Sequence, residues 1–197
     1  MEQDEQTTGS SLDSISFGDM LPSAGVVGLI FSIITFAIGL AVGYQQIGSE
    51  PSGAIFSPTM LSGTVICLIS LLGGTLAVWH FVKEVNPFIK LGQGAALGFI
   101  TGAIMVILTA VYGEIWNFID PEYTDKLVEA TIANVEAMDL PDAQRQTMVD
   151  SMASTVRQQS SFLSQILWGI PITGILNLLS GMVGVKIFAK KEDQETF

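Results

Sequence analysis

Four uncharged apolar stretches, Ala24 to Ile47, Met60 to Val82, Leu91 to Gly113 and Phe162 to Val185, constrain this chain more than any other feature. Each exceeds the roughly 20 residues that an α-helix needs to cross a ~30 Å hydrocarbon core. In a chain of 197 residues, runs of this length are too long for the buried strands or core helices of a soluble domain. The expected class is therefore all-α: a polytopic membrane protein with four transmembrane helices. The 20 glycines agree, since Gly is commoner in spanning helices than in soluble ones.

The pattern predicts an acidic flexible cytoplasmic tail over 1–20 and a four-helix membrane domain over 21–191. Its spans lie near 24–47, 60–82, 91–118 and 162–186, with an extramembrane helical hairpin over 120–160, and a short tail follows over 192–197. The tail carries Glu2, Asp4, Glu5, Asp13 and Asp19 with no Lys or Arg. It lacks the basic start of a secretory signal peptide, so the first span is expected to be retained. Lys83 and Lys90 flank the connection between spans two and three, and Lys186, Lys190 and Lys191 follow span four. The bias of positive charge toward cytoplasmic loops then places both termini inside and the hairpin outside. With 19 Asp+Glu against 8 Lys+Arg, the chain lacks the basic surface that nucleic acid requires. The expected partners are the lipid bilayer and, through the hairpin, a membrane or periplasmic protein, with a homo-oligomer as a further option.

Asp120 and Pro121 read as a helix start, an N-cap acceptor followed by a residue suited to the first turn. Beyond them Tyr123, Leu127, Val128, Ile132, Val135 and Met138 share one helical face, and Glu122, Asp125, Glu129 and Glu136 share the other. Asp139-Leu140-Pro141 breaks this helix. A second one carries Met148, Val149, Met152, Ala153 and Val156 at i, i+3, i+4 spacing and ends at or bends through Gln158 to Ser161. Two such faces are expected to bury against each other and against the spans, or against a partner protein.

Polar residues inside spans are costly and hence the default functional candidates. Glu114 at the outer end of span three, Asn177 in span four, and Pro171, which removes a helical hydrogen bond, are the three singled out. Beside each stands a plainer reading: a wet headgroup-level acid, an interhelical hydrogen bond, a tolerated proline. His80 is the sole histidine and Cys67 the sole cysteine, so the chain alone forms neither a bis-histidine haem site nor an internal disulfide. No cofactor and no metal is expected. Metalloprotease, serine-hydrolase and nucleotide-loop motifs are absent from the sequence, and an enzyme is not expected.

Gly94, Gly98 and Gly102 repeat every fourth residue in span three and predict a close helix contact. Gly73 and Gly74 of span two are the expected internal partner, with a homodimer seam as the alternative. The four spans, Ile119-Asp120-Pro121-Glu122-Tyr123 after the third, the acidic helix, the break at Leu140-Pro141 and the terminal Lys190-Lys191 together resemble a bacterial family of small membrane proteins of unknown function. The resemblance covers residues 22 to 191. It implies a bacterial inner-membrane location and transfers no activity. A structural or accessory subunit is the leading expectation, and a small oligomeric transporter or channel the alternative.

Overall fold

Hydrocarbon offers the backbone no hydrogen-bonding partner, so each apolar stretch has the helix as its way to satisfy every N–H and C=O internally. The computed structural model describes residues 15–53 and 58–190, and these form six helices. They are α1 (Phe17–Gly48), α2 (Pro58–Glu84), α3 (Leu91–Ile119), α4 (Tyr123–Glu136), α5 (Asp142–Ser160) and α6 (Phe162–Phe188). Helices α1, α2, α3 and α6 are long and apolar enough to span a membrane, and α4 and α5 form the hairpin between α3 and α6. Most of the acidic tail, residues 1–14, and everything after Lys190 lie outside the described residues.

The first helix starts earlier than the apolar run does. Ser16 and Asp19 form a capping box: the Asp19 N–H donates to Ser16 Oγ at 3.4 Å and the Ser16 N–H to Asp19 Oδ2 at 2.9 Å. Residues Phe17 to Met20, expected in the tail, are therefore helical, and Met20 is buried in the core. Asp19 belongs to a helix start, where an acid satisfies free N–H groups and the positive end of the helix dipole.

One end of the bundle gathers lysines and the other carries the hairpin. At the lysine end the turn after α2 is tied to the end of α6, the Lys190 N–H donating to the Pro87 carbonyl at 3.0 Å. Here lies the main core, with Met20, Ala24 and Val27 of α1, Ala77, Val78 and Phe81 of α2, Ile89, Leu97 of α3 and Val185 of α6. Toward the hairpin the packing thins. From Thr64 to Leu72 of α2, and ahead of Gly174 in α6, no residue is buried.

Glycine sets how closely the lysine half packs, but the pairing differs from the one expected. A Cβ on Gly98 or on Gly74 would overlap the same atom, the Asn177 carbonyl oxygen of α6, and one on Gly102 would sit 2.8 Å from the Thr173 carbonyl oxygen and 3.1 Å from Gly174 Cα. Gly74, Gly98 and Gly102 thus face α6, while Gly73 lies between α6 and α3, a Cβ there sitting 2.8 Å from Asn177 Oδ1 and 3.0 Å from Met105 Sδ. The reason is a third stripe, Gly174, Gly181 and Gly184, which gives α6 a shallow surface on which both neighbours settle. Gly94, Gly98, Gly102, Gly73 and Gly74 all pack inside one subunit.

Candidate functional site

At the hairpin end the side chains of three helices converge on Asp120. The Tyr44 hydroxyl of α1 donates to Asp120 Oδ2 at 2.7 Å and accepts from Trp116 Nε1 of α3 at 3.2 Å. The Tyr44 ring stacks at a tilt on Tyr123 of α4, with centroids 5.1 Å apart, and meets Trp116 edge-on at 6.2 Å. Lys126 reaches Glu122 at 3.0 Å and Asp120 at 3.7 Å. The Tyr44 hydrogen bond, aided by the Lys126 charge, holds the Asp120 carboxyl below the ordinary carboxylate range. Hydrogen bonding to Glu122 raises the Lys126 ammonium, and burial raises the Tyr123 hydroxyl.

Asp120 is therefore not the N-cap expected of it. It closes α3 as its C-cap, Pro121 and Glu122 make a turn, and α4 begins at Tyr123 after Glu122, whose side chain makes no capping bond. The Asp-Pro pair marks a turn, and the carboxylate is used to fasten α1 to the junction of α3 and α4.

Further pins hold α4 against α1 and the loop after it. Gln46 Nε2 donates to Thr131 Oγ1 at 3.0 Å, and the Ser52 N–H donates to Asn134 Oδ1 at 3.2 Å. Gly53, at φ +63°, brings its backbone against the Ala137 carbonyl, an approach and a conformation that a side chain would obstruct. Helix α4 buries Val128 and Val135 and keeps Glu122, Asp125, Glu129 and Glu136 exposed, the faces that its periodicity predicts. Met148, Val149, Met152, Ala153 and Val156 form the half-buried side of α5. The chain turns from α5 into α6 at the single extended residue Ser161.

Between the thinly packed halves of the spans and this roof lies a cleft of about 970 Å³. Phe36 and Leu40 of α1, Ile66 of α2, Met105 and Val106 of α3 and Ile172 of α6 give it apolar walls. Thr109 and Asn117 of α3, Thr124 of α4 and Gln165 of α6 line it with polar side chains that make no hydrogen bond among the described residues. Among the described residues no Asp, Glu, Lys, Arg or His lines it. Its floor is the packed layer in which Asn177 Oδ1 accepts from the Gly74 N–H at 2.7 Å, Asn177 Nδ2 donates to the Thr173 carbonyl at 2.9 Å and Thr75 Oγ1 donates to the Ser180 carbonyl at 2.8 Å.

The polar candidates of the spans separate accordingly. Asn177 is fully buried and cross-links α2 to α6. Pro171 lies on the exposed side of an unbroken α6, and Glu114 is exposed and is not among the residues lining this cleft. His80 Nδ1 lies 3.0 Å from the buried Ser23 hydroxyl, joining α1 to α2, and Cys67 is exposed. Among the described residues no three His, Cys, Asp or Glu side chains converge as metal ligands. Sequence reasoning missed Tyr44, Trp116 and Lys126, whose role depends on partners far away in the chain. It also missed the α6 stripe, which the spacing of Gly174, Gly181 and Gly184 displays.

No curated protein and no solved structure matches this chain. The family described as a protein of unknown function (DUF4199) matches it over residues 23–186, nearly the whole helical assembly just described. The chain is a member of the DUF4199 family.

Proposed function

We propose that this protein is a non-enzymatic structural or accessory component of the bacterial inner membrane, with both termini cytoplasmic and its hairpin presented outside to a membrane or periplasmic protein. The observation that carries the reading is how the hairpin is mounted. The Asp120 junction, the Gln46 and Ser52 hydrogen bonds and the seat of Gly53 on Ala137 fix α4 as a firm platform. Its exposed Asp125, Glu129 and Glu136 then form an acidic stripe that suits a basic partner surface. Purification in mild detergent followed by mass spectrometry tests this: a stoichiometric partner is expected, and its loss in an Asp125→Lys, Glu129→Lys variant that still folds. Recovery of a pure homo-oligomer would instead favour the second reading, a small oligomeric transporter. The cleft supports that alternative, while the close glycine packing of the lysine half weighs against an open channel.

A further inference from the structure

We infer that the cleft beneath the hairpin is a binding site for one uncharged, single-chain amphiphile drawn from the outer leaflet of the membrane: an apolar chain under a small hydroxyl- or carbonyl-bearing head. Three observations select this occupant independently of any protein partner. The volume, about 970 Å³, lies at the upper end of the roughly 300–1,000 Å³ of sites that enclose one small molecule. Among the described residues the lining is neutral throughout, apolar walls interspersed with hydroxyl and amide groups. Asn117, Thr124 and Gln165 stand near the end of α3 and the starts of α4 and α6 and, unpaired among the described residues, offer donors and acceptors to a neutral head. Leu40, Ile66, Met105 and Val106 offer walls suited to a chain, and the hydroxyls of Thr35, Ser70 and Thr109 stand among them. Among the described residues no Lys or Arg lines the cleft to meet a phosphate or carboxylate, so a charged head placed there would lose hydration without gaining a counter-ion.

The way in is lateral. Helices α1, α3 and α6 stay in contact into the hairpin half, through Phe36 with Tyr112 and through Gly169 with Val106. Among the described residues of α2, Thr64 to Leu72 bury none, while Ile66 and Ser70 line the cleft, so the entry is placed beside this part of α2.

The test uses the full chain in vesicles of phosphatidylethanolamine and phosphatidylglycerol. The probe is a monoacylglycerol with a photoreactive diazirine in its chain, compared with the same chain under a phosphocholine or a carboxylate head. Saturable cross-linking at cleft residues such as Leu40 and Met105 is expected, displaced by unlabelled monoacylglycerol and at least tenfold weaker for the charged heads. Asn117→Leu with Gln165→Leu should weaken the monoacylglycerol signal about tenfold by removing the hydrogen bonds to its head. Ile175→Trp, on the exposed side of α6, should leave the signal unchanged. Non-saturable labelling spread over Ile175, Leu179 and Val183 would show ordinary boundary lipid and overturn the proposal. Equal labelling by the charged heads would overturn it too. The head-group comparison and the displacement are read on the unaltered protein, so they decide the matter even if the double variant fails to fold.

Discussion

Asp120 shows how one carboxylate ties together helices far apart in sequence. Its carboxyl is held below the ordinary carboxylate range, which model compounds put near about 3.9. A depressed value means that the folded state favours the ionised form. Its contribution is therefore fully present above about pH 4 and fades as the pH falls through the lowered value. Acidification should loosen α1 from the α3–α4 junction while neutral and mildly alkaline conditions leave it closed. Fluorescence of Trp116, isolated by Trp79→Phe and Trp168→Phe, should report this as an acid transition that Asp120→Asn abolishes. A transition of unchanged midpoint in that variant would assign it to another group. Asn177, at the other side of the cleft, makes an opposite kind of demand. Replacing it with Ala removes a buried interhelical bond and should cost about 0.6 to 1.7 kcal/mol, the range for such bonds in bilayers. Asn177→Asp places a charge there and should cost more, about 2.5–3.5 kcal/mol. Unfolding in mixed micelles measures both, and equal losses for Ala and Asp would show that the site is wetter than its burial indicates.

Among elements, the α3–α6 contact decides whether the bundle holds. Lipid tails are as apolar as leucine, so dispersion between closely fitted backbones, not the exclusion of water, favours this contact. Gly98→Leu would drive a side chain into the Asn177 carbonyl and should destabilise by about 1–3 kcal/mol or more, with loss of folded monomer in detergent. Gly25→Leu meets nothing within 4 Å and should be tolerated, so gel filtration of the pair separates overpacking from a general penalty on large residues. If Gly98→Leu kept the folded monomer, α3 and α6 would have to be looser than their glycines imply. These elements also mark what the sequence can disclose. Spans and the two faces of α4 are legible because hydropathy and a 3.6-residue period are local properties of the chain. The partner of a stripe is not local: Gly98 reads the same whether α2 or α6 lies against it, and the choice is made by Gly174, Gly181 and Gly184 on the far side of the hairpin. Asp120-Pro121 was ambiguous for a related reason. An acid before proline suits a helix start and a tight turn equally, and what decides here is Tyr44, 76 positions away in sequence. The cleft was invisible because it is defined by where helices fail to pack, and Thr109, Asn117 and Gln165 read singly as ordinary polar residues near the ends of spans.

On the scale of the whole molecule, the two ends differ in both packing and charge. Lys83, Lys90, Lys186 and Lys190 surround the packed end, with Lys83 resting 5.3 Å from the centre of the Trp79 ring, while the exposed acids of α4 crown the open end. Each lysine near an anionic cytoplasmic leaflet is worth about 1 kcal/mol, and the hairpin carries no comparable cluster. The sum favours one orientation, with the lysine end cytoplasmic and the cleft opening toward the outer leaflet. Cysteine accessibility tests it in a Cys67→Ser background, since the native thiol is exposed on α2. Gln144→Cys, on the exposed side of α5, should react with a membrane-impermeant maleimide in intact cells, and Lys90→Cys only after lysis. The reverse pattern would turn the protein over, and with it both proposals: the acidic stripe of α4 would face the cytoplasm, and the cleft would draw its occupant from the inner leaflet.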